Sequence, residues 1–173
     1  VLQLSRRETT RQERISLPQW LETFLQEFTA TVQVEPASFR LQLDGGAMDV
    51  QFDPTHLHQV LWNLCDNSLK HAATDQAEPV VLRTGRIAST GRPYVEVVDR
   101  GIGIDPANAE RIFEPFFTDK AGGTGLGLFI SRELCQTNGA LLAYEARAGG
   151  GSVFRVIFAD PQRWERGRGR WAL

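Results

Sequence analysis

Asn63, Asn67 and Lys70 recur at i, i+4 and i+7 within DPTHLHQVLWNLCDNSLKHA. Projected at about 100° per residue on a helix, they form a polar row. The row borders an apolar stripe of Leu57, Leu61, Leu64 and Ser68, and His71 falls between the two. A solvated helix flank accounts for any one of these side chains, but three together along a buried edge suggest a ligand. An amide oxygen is a hard, neutral donor suited to Mg2+, which keeps waters and phosphate oxygens and needs few protein ligands. A lysine one turn on takes phosphate charge. The row therefore suits a metal-bound polyphosphate.

Two glycine-bearing segments follow. In VEVVDRGIGI an apolar strand delivers Asp99 and then Gly101 and Gly103. A carboxylate at a strand end accepts a hydrogen bond from an exocyclic amine such as adenine N6, and adjacent glycines let backbone approach a flat ring. An Asp-Gly turn is the plainer account of the same residues. In GGTGLGLFISREL, Gly123, Gly125 and Gly127 alternate through a loop that opens a helix. The N-terminal N–H groups and dipole of such a helix favour phosphate, and a mobile glycine loop is the competing account. Neither segment fits a dinucleotide-binding fingerprint, since no third glycine follows Gly101 and Gly103 at the right spacing and the Gly123 loop follows a polar segment. A Walker A loop is excluded too, because Lys70 precedes His71 and Lys120 precedes Ala121, where Ser or Thr is required.

The elements that must position these residues can be read from periodicity. Leu17-Pro18 opens a helix with Trp20, Leu21, Phe24, Leu25 and Phe28 on one face, proline being tolerated in the first turn. Residues 39–43 and 48–52 alternate like strands around an Asp44-Gly45-Gly46 turn and predict a hairpin. Asp53-Pro54 starts a second helix running to about Ala73, and strands are expected over 80–87 and 94–98. After Asp99 come a short helix-compatible PANAERIF, the aromatic PFF, the loop TDKAGGTG, and a helix over 126–137 stopped by Asn138-Gly139. Strands over 140–145 and 152–158 flank Gly149, Gly150 and Gly151. This order predicts a two-layer α/β sandwich with a mixed or antiparallel sheet, and no internal repeat is visible.

Composition bounds the rest. A chain of 173 residues that is 42% hydrophobic and 23% charged is ordinary globular usage for one domain. No apolar run approaches the roughly 18 residues of a membrane span, and the polar start VLQLSRRETTRQER has no signal-peptide organisation. The sole methionine is Met48, so the chain reads as a piece of something larger. A net charge of −2 offers no electrostatic case for nucleic acid, although 17 of the 19 basic residues are Arg. Cys65 and Cys135 are too few and too far apart for a metal cluster or disulfide framework and read as reduced core thiols.

Four blocks stand in order between about Gln19 and Phe158: HQVLWNLCDNSLKHA, DRGIGI, IFEPFFTDK and GGTGLGLFIS. They resemble the N box, first glycine box, F box and second glycine box of the GHKL ATPases, and specifically of the catalytic domain of bacterial two-component sensor histidine kinases. Each block is weak alone, and the ordered set at family spacing is specific. The PFFTDKAGGTGLGL wording is similar to the nitrogen-regulatory and pilus-regulatory type. The resemblance implies the Bergerat fold, with a mixed sheet packed against three main helices. It also implies ATP and Mg2+ as cofactors, and roles at matching positions. Asn67 would bind the metal, Asn63 and Lys70 would support the phosphates, and His71 stands where the family often has Tyr. Asp99 would receive the adenine N6 proton, with Gly101, Gly103 and Ile104 shaping the base pocket. Phe116 and Phe117 would pack the ATP lid, which also carries Lys120. Gly123, Thr124, Gly125, Leu126 and Gly127 would meet the phosphates, and Ser152 replaces a common Thr behind the adenine.

The stretch 1–16, polar and charge-rich without a strong period, reads as the end of a preceding dimerisation helix or a linker, 17–160 would be the catalytic domain, and 161–173 reads as an Arg-rich solvated tail, with a phospholipid surface or a partner the lesser alternative. Histidine kinases phosphorylate a His followed by an acidic residue on the dimerisation domain, whereas His56, His58 and His71 precede Leu57, Gln59 and Ala72. The acceptor is therefore expected elsewhere, and this piece is expected to be monomeric. The full protein would be a homodimeric inner-membrane sensor with this domain in the cytoplasm, partnered by a response regulator. Two other readings remain. An ATP-driven clamp generally needs a glutamate base in the N-box helix, and none lies between Asp53 and Ala77. A nucleotide-sensing module without phosphotransfer is disfavoured by the intact boxes, and a serine-kinase anti-sigma factor by the F box.

Overall fold

The computed structural model describes residues 9–44, 46–71, 78–118 and 123–163. The chain enters through a short strand, β1 (Glu13–Ser16), at the end of the stretch expected to be a preceding helix or linker. Helix α1 (Leu17–Val32) follows at once, with Pro18 in its first turn where no N–H is needed. Its Leu17, Leu21, Phe24, Leu25 and Phe28 are buried, and Trp20, Phe24 and Phe28 stack along it at 5.4 and 5.9 Å. The helix ends on Gln33 in the left-handed region, with the Gln33 N–H bonded to the Thr29 carbonyl.

Strands β2 (Phe39–Leu43) and β3 (Asp49–Phe52) are where expected but do not form the predicted hairpin. β2 pairs in parallel with β4 (Val80–Arg86), with Leu41 opposite Leu82. β3 pairs antiparallel with β1, with Ile15 opposite Val50. Alternation marks each segment as a half-buried strand, but it says nothing about the partner. The main sheet has the order β2-β4-β5-β7-β6, where β5 is Pro93–Asp99, β6 Leu141–Ala146 and β7 Ser152–Ile157. Only the β2/β4 pair is parallel, so the sheet is mixed. Helices α2 (Pro54–His71) and α3 (Gly127–Thr137) complete a helical layer over one face. The core between the layers is aliphatic and aromatic, with Phe28, Phe52, Leu57, Leu61, Leu64, Leu82, Val95, Val97, Val156 and Phe158 essentially inaccessible. Residues 106–113, read as a short helix, are instead a run of turns held by bonds such as Asn108 N–H to Asp105 O and Arg111 N–H to Asn108 O. The sandwich against three main helices is as expected.

Two polar devices hold this frame. On the sheet face away from the helices, Arg83, Glu96 and Arg155 lie side by side on β4, β5 and β7. Glu96, only 1% exposed, takes bonds from Arg83 Nε at 2.8 Å and Arg155 Nε at 2.6 Å. At the other device, Asp53 caps α2: its Oδ1 accepts the N–H of Thr55 at 2.9 Å, and its Oδ2 accepts the Arg11 N–H at 2.9 Å. The Asp53 N–H in turn reaches Asn138 Oδ1 at the end of α3. Burial works to raise the Asp53 carboxyl, but the N–H bonds from Arg11, His56 and Thr55 and the nearby His56 charge outweigh it and hold it below the usual carboxylate range. A carboxyl depressed on folding stabilises the protein fully above its unfolded value, about pH 4, and that stability is lost as pH falls through the folded value. Asp53→Ala should therefore cost about 1–2 kcal/mol in urea unfolding at pH 7, and the gap from wild type should narrow below about pH 4.

Candidate functional site

The second half of α2 supplies one wall of a cavity of about 270 Å3, where Asn63, Asn67, Lys70 and His71 all line the space. They do so because Leu57, Val60, Leu61, Leu64 and Cys65 turn the neighbouring flank into the core, with Ser68 at the border between the two. Asn63 Nδ2 donates to the Gly127 carbonyl at 3.3 Å and to Ser131 Oγ at 3.1 Å, which fixes the start of α3 against α2. Lys70 Nζ lies 2.6 Å from Asp66 Oδ2, one turn back on the same helix. Asp66 also lines the cavity, so the lysine charge is held at its rim.

A second wall comes from the end of β5. Asp99 is 5% exposed and its carboxylate takes two donors, Gly101 N–H on Oδ1 at 2.9 Å and Ser68 Oγ on Oδ2 at 3.3 Å. Ser152 stands opposite Asp99 in the β5/β7 register and also lines the cavity. The turn after Asp99 runs so close under the C-terminus of α2 that a Cβ on Gly101 would collide with the His71 carbonyl oxygen. Gly103 and Ile104 complete this wall, while the Ile102 side chain points to solvent.

The third wall is the segment between β5 and α3. Phe117 faces the cavity and carries the Arg111 guanidinium over its ring at 4.7 Å. Phe116 does not line the cavity: its side chain is 68% exposed and its backbone sits at φ 65°. The Phe116 N–H bonds the Gly125 carbonyl at 2.9 Å, and Gly125 itself has φ 67° with Phe116 C only 2.5 Å from where a Cβ would stand. The aromatic segment and the glycine loop are thus locked together by a position only glycine fills. Thr124, Gly125 and Gly127 reach the cavity at the N-terminal end of α3. Gly101, Gly123 and Leu126 do not line the space, and Lys120 lies outside the described residues.

Sequence reasoning did not single out Ser68, Asp66, Asn108, Ile112, Thr118, Leu128 or Phe154, all of which line the cavity. Ser68 was absorbed into the apolar stripe, where its hydroxyl is hidden from a periodicity argument. Burial raises the thiols of Cys65, where the Asp66 charge adds to it, and Cys135, the latter to about 12, so both stay protonated at neutral pH. Among the described residues no three His, Cys, Asp or Glu side chains converge to hold a metal, and no helix is long and apolar enough to cross a membrane.

Residues 52–162 match the family model described as histidine kinase-, DNA gyrase B-, and HSP90-like ATPase. The chain is 39% identical over 164 residues to the sensor protein kinase PilS of Pseudomonas aeruginosa, covering 94% of this chain and 31% of that protein. It is 38% identical over 107 residues to the sensor histidine kinase ZraS of Salmonella typhi, covering 62% of this chain and 22% of that one. It spans less than a third of the length of these curated relatives. Among solved structures, a catalytic domain of histidine kinase ThkA superposes with a TM-score of 0.71 at 25% identity, over 87% of this chain and 98% of that one. The matched span contains both glycine-bearing walls and the α2 row, and the chain belongs to the family of histidine kinase-, DNA gyrase B- and HSP90-like ATPases, in the form that sensor histidine kinases carry as their ATP-binding catalytic domain.

Proposed function

We propose that this domain binds Mg-ATP in the cavity between α2, β5 and α3 and passes the γ-phosphoryl to a histidine on a separate dimerisation domain of the full protein. The observation that carries this is one cavity walled by an amide-and-lysine row, a buried strand-end carboxylate and the glycine-flanked start of a helix. Asp99 accepts the adenine 6-amino proton, with Gly101, Gly103 and Ile104 along the base and Ser152 behind it. Asn63, Lys70 and His71 border the phosphates. The N–H groups and dipole at the start of α3 take their charge, with Gly123, Thr124, Gly125, Leu126 and Gly127 shaping the approach. Phe116 and Phe117 belong to the segment that closes over the nucleotide.

The donor set fits Mg2+. With no three-residue carboxylate or imidazole cluster among the described residues, the ion would be held by the Asn67 amide oxygen together with phosphate oxygens and water. Bound there, it neutralises charge on the phosphates. The chain's own residues position the nucleotide, and phosphoryl transfer depends mainly on such positioning and charge neutralisation. The nucleophile is expected from outside this chain: His56 and His58 are engaged with Asn138 and Glu27, and none of His56, His58 and His71 is followed by an acidic residue. A clamp-type ATPase is disfavoured because the N-box helix carries no glutamate base. The full protein would be a homodimeric inner-membrane sensor, with this domain in the cytoplasm acting on a response regulator.

The test is to incubate the full-length protein with γ-labelled ATP and Mg2+. Acid-labile, alkali-stable label should appear, and Asn67→Ala should slow its appearance by about tenfold, the scale on which changes around a metal site act. Absence of label from folded, nucleotide-bound protein would reject phosphotransfer and favour a nucleotide-sensing module.

A further inference from the structure

Ser68 is 2% exposed on α2, yet its hydroxyl faces the Asp99 carboxylate and lines the nucleotide cavity. The Asp99 carboxylate is therefore held at both oxygens, by the Gly101 N–H on one side and the Ser68 O–H on the other. A carboxylate held only by Gly101 could turn about its Cβ–Cγ bond, whereas two donors on different elements fix its plane. The second consequence concerns polarity. A serine hydroxyl has one proton, and once that is given to Asp99 the oxygen has only lone pairs to offer. Asp99 Oδ2 and Ser68 Oγ then form a wall that accepts hydrogen bonds and donates none. Such a wall welcomes a ring amine and repels a ring carbonyl, because buried acceptors set against each other are costly.

We propose that Ser68 is a specificity-determining positioning residue that orients Asp99 and makes the cavity choose a 6-amino purine over a 6-oxo purine. This rests on the reading of the cavity as the adenine-nucleotide site. The residue acts through Asp99 and has no part in holding the phosphates.

The test uses calorimetric binding of three nucleotides: ADP, inosine diphosphate, and purine riboside diphosphate, which has no substituent at position 6. Wild type should prefer ADP to both. Ser68→Ala should lower ADP affinity about tenfold while changing purine riboside diphosphate less than twofold. Ser68→Cys, which keeps the shape but donates weakly, should behave like the alanine variant and covers the case in which that variant fails to fold. Ser68→Thr, which keeps the hydroxyl, should restore the preference for ADP. An equal loss for ADP and purine riboside diphosphate would reduce Ser68 to packing and overturn the proposal, as would unchanged preference in both loss variants. A wild type that does not prefer ADP to purine riboside diphosphate would instead overturn the adenine-site reading itself.

Discussion

Replacing Glu96 by alanine should destabilise the domain by about 3 kcal/mol, a large share of the roughly 5–15 kcal/mol that holds a protein of this kind folded. Glu96 sits on the central strand β5 with 1% exposure, and both of its carboxylate oxygens are engaged by guanidinium groups from the flanking strands. Arg155 also lies over the Tyr94 ring at 5.3 Å. Removing the carboxylate leaves two cations facing each other over an apolar strand surface. The arginine side chains retain 39% and 29% exposure, so they can recover some hydration, which places the loss at the lower end of the 3–5 kcal/mol seen when one partner of a buried pair is removed. With an m-value of about 2 kcal/mol per molar urea, the unfolding midpoint should fall by about 1.5 M. Replacing Arg83, Glu96 and Arg155 together by methionine should recover most of that loss, since an apolar row leaves no buried charge unpaired and Glu145, which also pairs with Arg155 at 3.6 Å, is 67% exposed. A midpoint unchanged in Glu96→Ala would mean that the three strands are held by their backbone ladder and the core alone.

The contrast between what could and could not be read from the sequence follows the range of the interactions involved. The polar row of α2 was legible because it depends on local helical period, and Asp99 was legible because an apolar run ending in Asp-Arg-Gly marks a strand end. The pairing of β2 with β4 depends on contacts across some 40 residues, which alternation within 39–43 does not encode. Nothing within VEVVD marks Glu96 as buried, because its partners Arg83 and Arg155 come from neighbouring strands. Phe116 and Phe117 are indistinguishable by type, yet the left-handed backbone at Phe116 turns one ring outward and leaves the other facing the cavity. Ser68 was assigned to the core because it lies on the buried stripe, which is correct for its burial and silent about its hydroxyl.

The second large effect is expected from Asp99→Asn. Asparagine keeps the shape of the side chain but offers one carbonyl and one amine in place of two acceptors. If the amine turns toward Gly101 it opposes the Gly101 N–H, so the backbone bond at 2.9 Å is lost and the turn beneath His71 is disturbed. If it turns the other way, the Ser68 hydroxyl can rotate to accept from it, but the ring amine of a bound adenine then meets a donor. Neither orientation preserves both bonds. A hydrogen bond to a charged group contributes about 1.5–3 kcal/mol, so ADP affinity should fall by about 10–150-fold. The fold should survive, because the substitution is isosteric and the core around Val95 and Val97 is untouched.

The central claim is that the cavity beneath α2 is an adenine-nucleotide site organised around Asp99. Its most direct test is calorimetric titration of ADP with Mg2+ into wild type and Asp99→Asn side by side, with circular dichroism confirming that both are folded. The expected result is one saturable site per chain in wild type and an affinity lower by on the order of 100-fold in the variant. Equal binding by the two proteins, or no binding by folded wild type, would contradict it.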